Sequence, residues 1–229
     1  LMTPDLLRSL MPQVEQTWKE VRQKNFPWQS FEEGLNAMVD RIGPQFIHQY
    51  LTTEAKAAQR RPALLIGQER PLETSILVDE QRVKWCGRLD RLEQLNGRTR
   101  IVDFKSGILK NNASELRIKG IETCFDGEHS KAFQLMCYAW MAYRSEPEAY
   151  AQGLELAILP LQQAEGGPRL LEIDQQSLLT VQSLEKFESL LLQHLREMMD
   201  PDRPFEATTQ VRKCTYCDFN RICQRQLED

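Results

Sequence analysis

The chain has no apolar run long enough to cross a bilayer, and its start carries no secretory signature. It has no excess of positive charge either: 29 Lys and Arg stand against 33 Asp and Glu, for a net charge of −4. A polyanion would therefore have to meet a local basic groove rather than an overall field. No internal repeat or low-complexity tract is present. No Gly-rich phosphate loop occurs, which argues against an ATPase in this segment. The sequence opens at Leu1-Met2 and reads as a piece of something longer. What it does have is 229 residues, 41% hydrophobic and 27% charged. That suits one α/β domain with appended pieces, or one domain and a small satellite. Six cysteines without a secretion signal point to a reducing compartment, hence a cytoplasmic location, where clustered thiols more often hold metal than pair.

Helical periodicity fills residues 1–62: Leu6, Leu7, Leu10, Met11 and Val14, extended by Trp18 and Val21, then Phe31, Leu35, Met38, Val39 and Ile42. Asn25-Phe26-Pro27 breaks it, so two or three amphipathic helices are expected. From Ala63 the pattern turns to short β-rich stretches: 64–66, 75–78, 83–91 and 99–105. The stretch 107–127 is irregular. A helix is expected over 131–143, strands over 154–161 and 169–173, and a helix over 185–199. This divides the chain into a helical part (1–62), an α/β core (63–200) and a short cysteine-bearing tail (201–229).

Asn96-Gly97 between two β-like runs is a strong hairpin signal. With a two-residue turn, Leu95 faces Arg98, Glu93 faces Arg100, Leu89 faces Phe104, and Asp90 falls opposite Asp103. Two facing carboxylates about 5 Å apart would repel unless a cation sits between them. Lys105, two residues past Asp103, projects from the same face, while Val102 and Phe104 point into a core. Two hard oxygen ligands and an ammonium suit Mg²⁺ or Mn²⁺. They imply phosphodiester hydrolysis, with the metal at Asp90 and Asp103 and with Lys105 orienting water or neutralising developing charge. The plain alternative is a solvated hairpin with surface charges; the facing acids and the apolar back face weigh against it.

Gly87-Arg88-Leu89-Asp90-Arg91 followed by Val102-Asp103-Phe104-Lys105-Ser106-Gly107 resembles the PD-(D/E)XK nuclease superfamily, and more closely its RecB-like branch. Gln134 and Tyr138, in 133–138, look like the Q-x-x-x-Y helix that follows the catalytic strands there. Cys214, Cys217 and Cys223 resemble the C-terminal cysteines of AddB-type subunits, which clamp the domain with a [4Fe–4S] cluster whose remaining cysteine lies far upstream. The early helix that carries the family's metal-site histidine is not found. His48 sits in a different setting, so the chain is expected to begin just after that histidine and cysteine.

The resemblance implies a restriction-endonuclease-like mixed sheet flanked by helices. It also implies catalytic roles for Asp90, Asp103, Lys105, Gln134 and Tyr138, and DNA, in the form of single-stranded ends, as substrate. A helicase-nuclease partner in double-strand-break repair is implied too, with no membrane. A catalytically inactive DNA-binding or scaffolding domain is the alternative, and a zinc module built on the cysteine tail is another. Arg88 and Arg91 are candidates to meet phosphate, Arg88 foremost because it shares the face of the acids; Lys131 is a further candidate. Cys86 and Cys137 read as core, Cys124 as a loop cysteine open to a ligand role, and Glu69 as an auxiliary ligand or a surface ion pair. His129 carries no motif.

Overall fold

A computed structural model describes residues 1–224 and divides the chain into two compact units, Leu1–Leu192 and Gln193–Asp229. The last five residues of the expected tail, 225–229, lie outside the described residues.

The first unit opens with three helices: α1 (Pro4–Leu10), α2 (Val14–Asn25) and α3 (Gly34–Ala58). Thr3 starts α1 by accepting the Leu6 N–H on its hydroxyl at 3.2 Å, with Pro4 at the first helical position. Leu7, Val14, Leu51, Ala55 and Ala58 pack into one apolar cluster with Met2 and Ala63, which is why the helical stripes face one another.

The sheet follows. Strands β1 (Leu64–Val78), β2 (Gln81–Leu95) and β3 (Arg98–Lys105) form an antiparallel meander. Two β stretches expected as separate, 64–66 and 75–78, belong to the single strand β1, which runs through Pro71. A proline is tolerated there because β1 is the edge strand, where a missing N–H costs no central ladder bond.

After the two-residue strand β4 (Arg117–Ile118) comes α4 (Ser130–Ser145), then the single turn α5 (Pro147–Tyr150). Strand β5 (Leu154–Pro160) pairs parallel with β3, with Asp103 opposite Ile158 and Lys105 opposite Pro160. A parallel pair requires a crossover, and α4 is its helix, laid over the sheet. Strands β6 (Arg169–Leu170) and β8 (Leu178–Leu179) pair with β5, while β7 (Glu172–Ile173) pairs with β4 in a separate two-stranded ribbon. The expected strand over 169–173 is thus split between two sheets. The result is an α/β fold with a mixed sheet and surrounding helices, consistent with the restriction-endonuclease-like architecture.

Every residue of β5 is buried, as expected of a strand covered on both faces. On α4, Ala132, Leu135, Met136, Ala139, Trp140, Met141 and Ala142 are all buried. The helix α6 (Val181–Met199) covers it: Phe187 packs with Phe125 and Phe133, and Glu188 accepts from Trp140 Nε1 at 2.7 Å and from Arg144 at 2.8 Å. No helix among the described residues is long and apolar enough to cross a membrane.

In the second unit a short helical turn spans Val211–Tyr216, and Arg203 pairs with Glu197 at 2.7 Å.

Candidate active site

The expected hairpin register forms from Leu95–Arg98 through Glu93–Arg100 to Arg91–Val102, then stops. The anticipated Asp90–Asp103 and Leu89–Phe104 pairs do not join the ladder. Instead the Asp90 side chain takes the place of a strand partner: its Oδ2 accepts the backbone N–H of Phe104 at 2.6 Å. The physical reason is the one that made the pairing suspect. Two carboxylates set squarely opposite repel, whereas a carboxylate that accepts a backbone N–H is stabilised.

Asp103 is buried, its side chain only 4% exposed. Its Oδ2 lies 2.8 Å from Lys105 Nζ but has no aligned hydrogen-bond donor. Burial pushes the Asp103 carboxyl above the usual carboxylate range; Lys105 pulls it back down, and the nearby Asp90 charge adds to the rise. The Lys105 ammonium donates to Gln134 Oε1 at 2.8 Å, and Gln134 Nε2 donates to Tyr138 Oη at 3.0 Å. These five residues, drawn from β2, β3 and α4, are therefore gathered in one place. Tyr138 has its hydroxyl pKa raised, chiefly by burial, and further by the Asp103 and Asp90 charges. Its oxygen already accepts from Gln134, so its own proton is directed elsewhere.

Gly87 explains how α4 comes so near. A Cβ there would stand 2.9 Å from Met141 Cε and 3.1 Å from Tyr138 Cε1. Met141 can swing its methyl away, but the Tyr138 ring is fixed by Gln134. Gly87→Val should therefore cost about 1–3 kcal/mol by overpacking and displace Tyr138 from Gln134. Chemical denaturation and a cleavage assay on the same preparation check it; an unchanged midpoint with full activity would show that α4 has room to shift.

The donor set fits a hard divalent cation. Asp103 presents a buried oxygen with no donor aligned on it, and Asp90 keeps its second oxygen after binding Phe104. The cysteine tail does not fit a cluster. Cys214 is buried while Cys217 and Cys223 are exposed. Among the described residues no group of three or more His, Cys, Asp and Glu side chains gathers to hold a metal.

Arg91 is corrected outright as a phosphate contact, because it is 2% exposed. Its guanidinium donates to Glu93 Oε2 at 2.6 Å, Tyr50 Oη at 2.7 Å and Glu54 Oε2 at 2.9 Å, and Glu93 also accepts from Arg100 at 2.6 Å. Burial works against the Arg91 charge, but Tyr50, Glu54 and Glu93 outweigh it and its pKa is raised; Tyr50 is pushed up to about 12, mainly by burial. Sequence reading missed this network. The signal was available: Tyr50 and Glu54 are four apart on α3, and Arg91 and Glu93 are two apart on β2, so each pair shares a face.

Arg88 is solvent-exposed and 3.7 Å from Glu69, so Glu69 makes a surface ion pair. Lys131 is tied to Glu115 at 2.6 Å, a partner the sequence did not suggest. Cys86, expected in the core, is exposed; Cys124 and Cys137 are both buried, and burial pushes each thiol up to about 12. His48 bonds Glu15 at 2.8 Å and His129 bonds Asp126 at 2.8 Å, and neither hydrogen-bonds a member of this constellation.

A mixed sheet with an acid within β2, an acid and a lysine at the end of β3, and a glutamine–tyrosine helix behind them has the make-up of a nuclease-type α/β domain. The family model of the PD-(D/E)XK nuclease superfamily matches residues 4–224, and the chain belongs to that superfamily. No curated protein matches the chain. Among solved structures, the chain is similar to that of SSO0001 at 14% identity, covering 95% of this chain and 86% of that one, with a TM-score of 0.36.

Proposed function

We propose that the chain is a Mg²⁺- or Mn²⁺-dependent deoxyribonuclease that hydrolyses phosphodiester bonds at DNA ends, of the exonuclease type. The observation that carries this reading is the shared placement of Asp103 and Lys105: a buried carboxylate oxygen with no aligned donor, beside an ammonium that Gln134 holds in position. Asp90 and Asp103 would hold the ion, which supplies Lewis-acid polarisation of the phosphate and a more acidic water. Lys105 lies where it neutralises charge developing on the phosphoryl oxygens. Gln134 keeps its ammonium aimed, and Tyr138 has a free proton to donate to a substrate oxygen. Arg88, exposed beside this group, is suited to a neighbouring phosphate, as is Lys131 once released from Glu115.

The same reading places the domain in the RecB-like branch, as part of an AddB-type helicase-nuclease subunit acting in the cytoplasm on double-strand breaks, with single-stranded ends fed to the site. That placement rests on the G-R-x-D-R, D-x-K-S-G and Q-x-x-x-Y order; the division into a helical part, a nuclease core and a cysteine tail rests on the change from helical to β-rich pattern near Ala63 and on the cysteines at the end. A [4Fe–4S] cluster at Cys214, Cys217 and Cys223 would need a further ligand and a different arrangement of the tail, so no step is assigned to it.

One observation favours the rival, a DNA-binding scaffold that does not cut: one Asp90 oxygen is spent on the Phe104 N–H, and among the described residues no third acid joins Asp90 and Asp103. Cleavage of end-labelled single-stranded DNA with Mg²⁺ or Mn²⁺ separates the two. Metal-dependent shortening from one end is expected; DNA binding without any cleavage would establish the scaffold.

A further inference from the structure

The three residues that follow Lys105 form an exposed bow held at both ends. At one end Gln162 Nε2 donates to the Ser106 carbonyl at 2.9 Å. At the other, the Gln163 carboxamide grips Leu109 twice: its Oε1 accepts the Leu109 N–H at 3.0 Å, and its Nε2 donates to the Leu109 carbonyl at 3.4 Å. Leu109 is buried, whereas Ser106, Gly107 and Ile108 are exposed. Both glutamines lie on the short helical turn (Leu161–Gly166) that leaves β5, and β5 runs parallel to β3. The clamp thus comes from the strand end next to the catalytic one.

Between these anchors the N–H groups of Ser106, Gly107 and Ile108 meet no acceptor among the described residues. Backbone donors without partners face either water or a ligand. A Cβ on Gly107 would meet nothing within 4 Å, and its φ lies outside the left-handed region. The Gly107 backbone is therefore uncovered and open to a visitor that approaches from outside. From Lys105 to Gly107 the chain spans at most about 7 Å, so that visitor lies within about one nucleotide of the reacting phosphate.

We infer that Ser106–Ile108 is a ledge for a non-scissile phosphate of the substrate strand, with Gln162 and Gln163 as the positioning residues that present its amides. This rests on the nuclease reading for the identity of the strand, but the ledge itself is a binding feature and is tested by binding. Rows of backbone N–H groups suit phosphate oxygens and carry no base preference.

The test uses the Asp103→Asn chain, which keeps substrate intact, and anisotropy titrations with single-stranded oligonucleotides. Each oligonucleotide carries one neutral methylphosphonate at a different position. One position is expected to weaken binding about tenfold, the scale of losing charge-assisted hydrogen bonds. Adding Gly107→Val, which has open space and so keeps the fold, should weaken binding to the unmodified strand by a similar factor and abolish the penalty at that position. Gln163→Ala should do the same, a coupling that a general loss of stability would not produce. A penalty that survives intact in both variants, or a scan with no penalty at any position, overturns the ledge. Cleavage by the native chain is read in parallel. Normal cutting with a flat scan removes the ledge alone; a position-specific scan without any cutting removes the nuclease reading and leaves the ledge as a phosphate site.

Discussion

Asp103→Asn and Lys105→Ala are each expected to lower metal-dependent DNA cleavage by at least about a hundred- to a thousandfold, the range seen when one preorganised electrostatic group is removed. Their effects on stability should have opposite signs. In chelator, Asp103 is a buried carboxylate whose folded-state pKa is raised above its unfolded value, chiefly by burial. A raised carboxylate favours the folded state only where it is protonated, and that contribution is lost as pH rises through the folded pKa. At neutral pH the charge therefore destabilises the fold, and Asp103→Asn should raise the melting temperature. The gain should fade as pH drops through the carboxylate range. Lys105→Ala removes the cation paired with that carboxylate and should cost about 1–3 kcal/mol under the same conditions. Adding Mg²⁺ or Mn²⁺ should stabilise the native chain and leave Asp103→Asn unmoved, by linkage to binding. Scanning calorimetry with and without metal, beside the cleavage assay, reads all of this. A stability loss in Asp103→Asn would show that the carboxylate is structural, and the active-site assignment would fall with it.

Arg91→Ala is expected to act by unfolding rather than by weakening DNA binding. Removing the guanidinium leaves Glu93, fully buried, and Glu54, 12% exposed, with their charges uncompensated. Breaking one side of such a buried arrangement costs about 3–5 kcal/mol, a large share of a domain's net stability. Arg100 remains beside Glu93 and softens the loss. Arg91→Met tests the cause, since it restores volume without the hydrogen bonds to Glu93 and Glu54 and should recover little. Urea unfolding supplies the free energy, and titration with DNA supplies the affinity of whatever remains folded. A native midpoint with a weakened DNA affinity would return Arg91 to the phosphate-contacting role that its place in the G-R-x-D-R motif suggested.

Much of the site was legible in the residues because its signals are local. Asn96-Gly97 set the hairpin, and from there simple pairing arithmetic placed Leu95 against Arg98 and Glu93 against Arg100. The spacing of Gln134 and Tyr138 put both on one helix face, and they do bond each other. The same arithmetic failed at Asp90, because pairing rules count backbone positions and ignore a side chain able to replace a strand partner. Arg91 misled for a related reason: a charged residue in a strand reads as exposed unless its partners are known, and Tyr50 and Glu54 stand far away in the sequence.

The sequence by itself determined the main helices, the hairpin and the identity of the chemical groups, since periodicity, turn chemistry and short motifs act over a few neighbouring residues. The tertiary structure decided which of those groups meet. Only the parallel pairing of β3 with β5, and the crossover it imposes, brings Gln134 to Lys105. It also sets Gln163 against Leu109 and leaves an oxygen of Asp103 buried without an aligned donor. Burial and charge pairing between distant segments depend on how the chain closes on itself, and no local pattern encodes that.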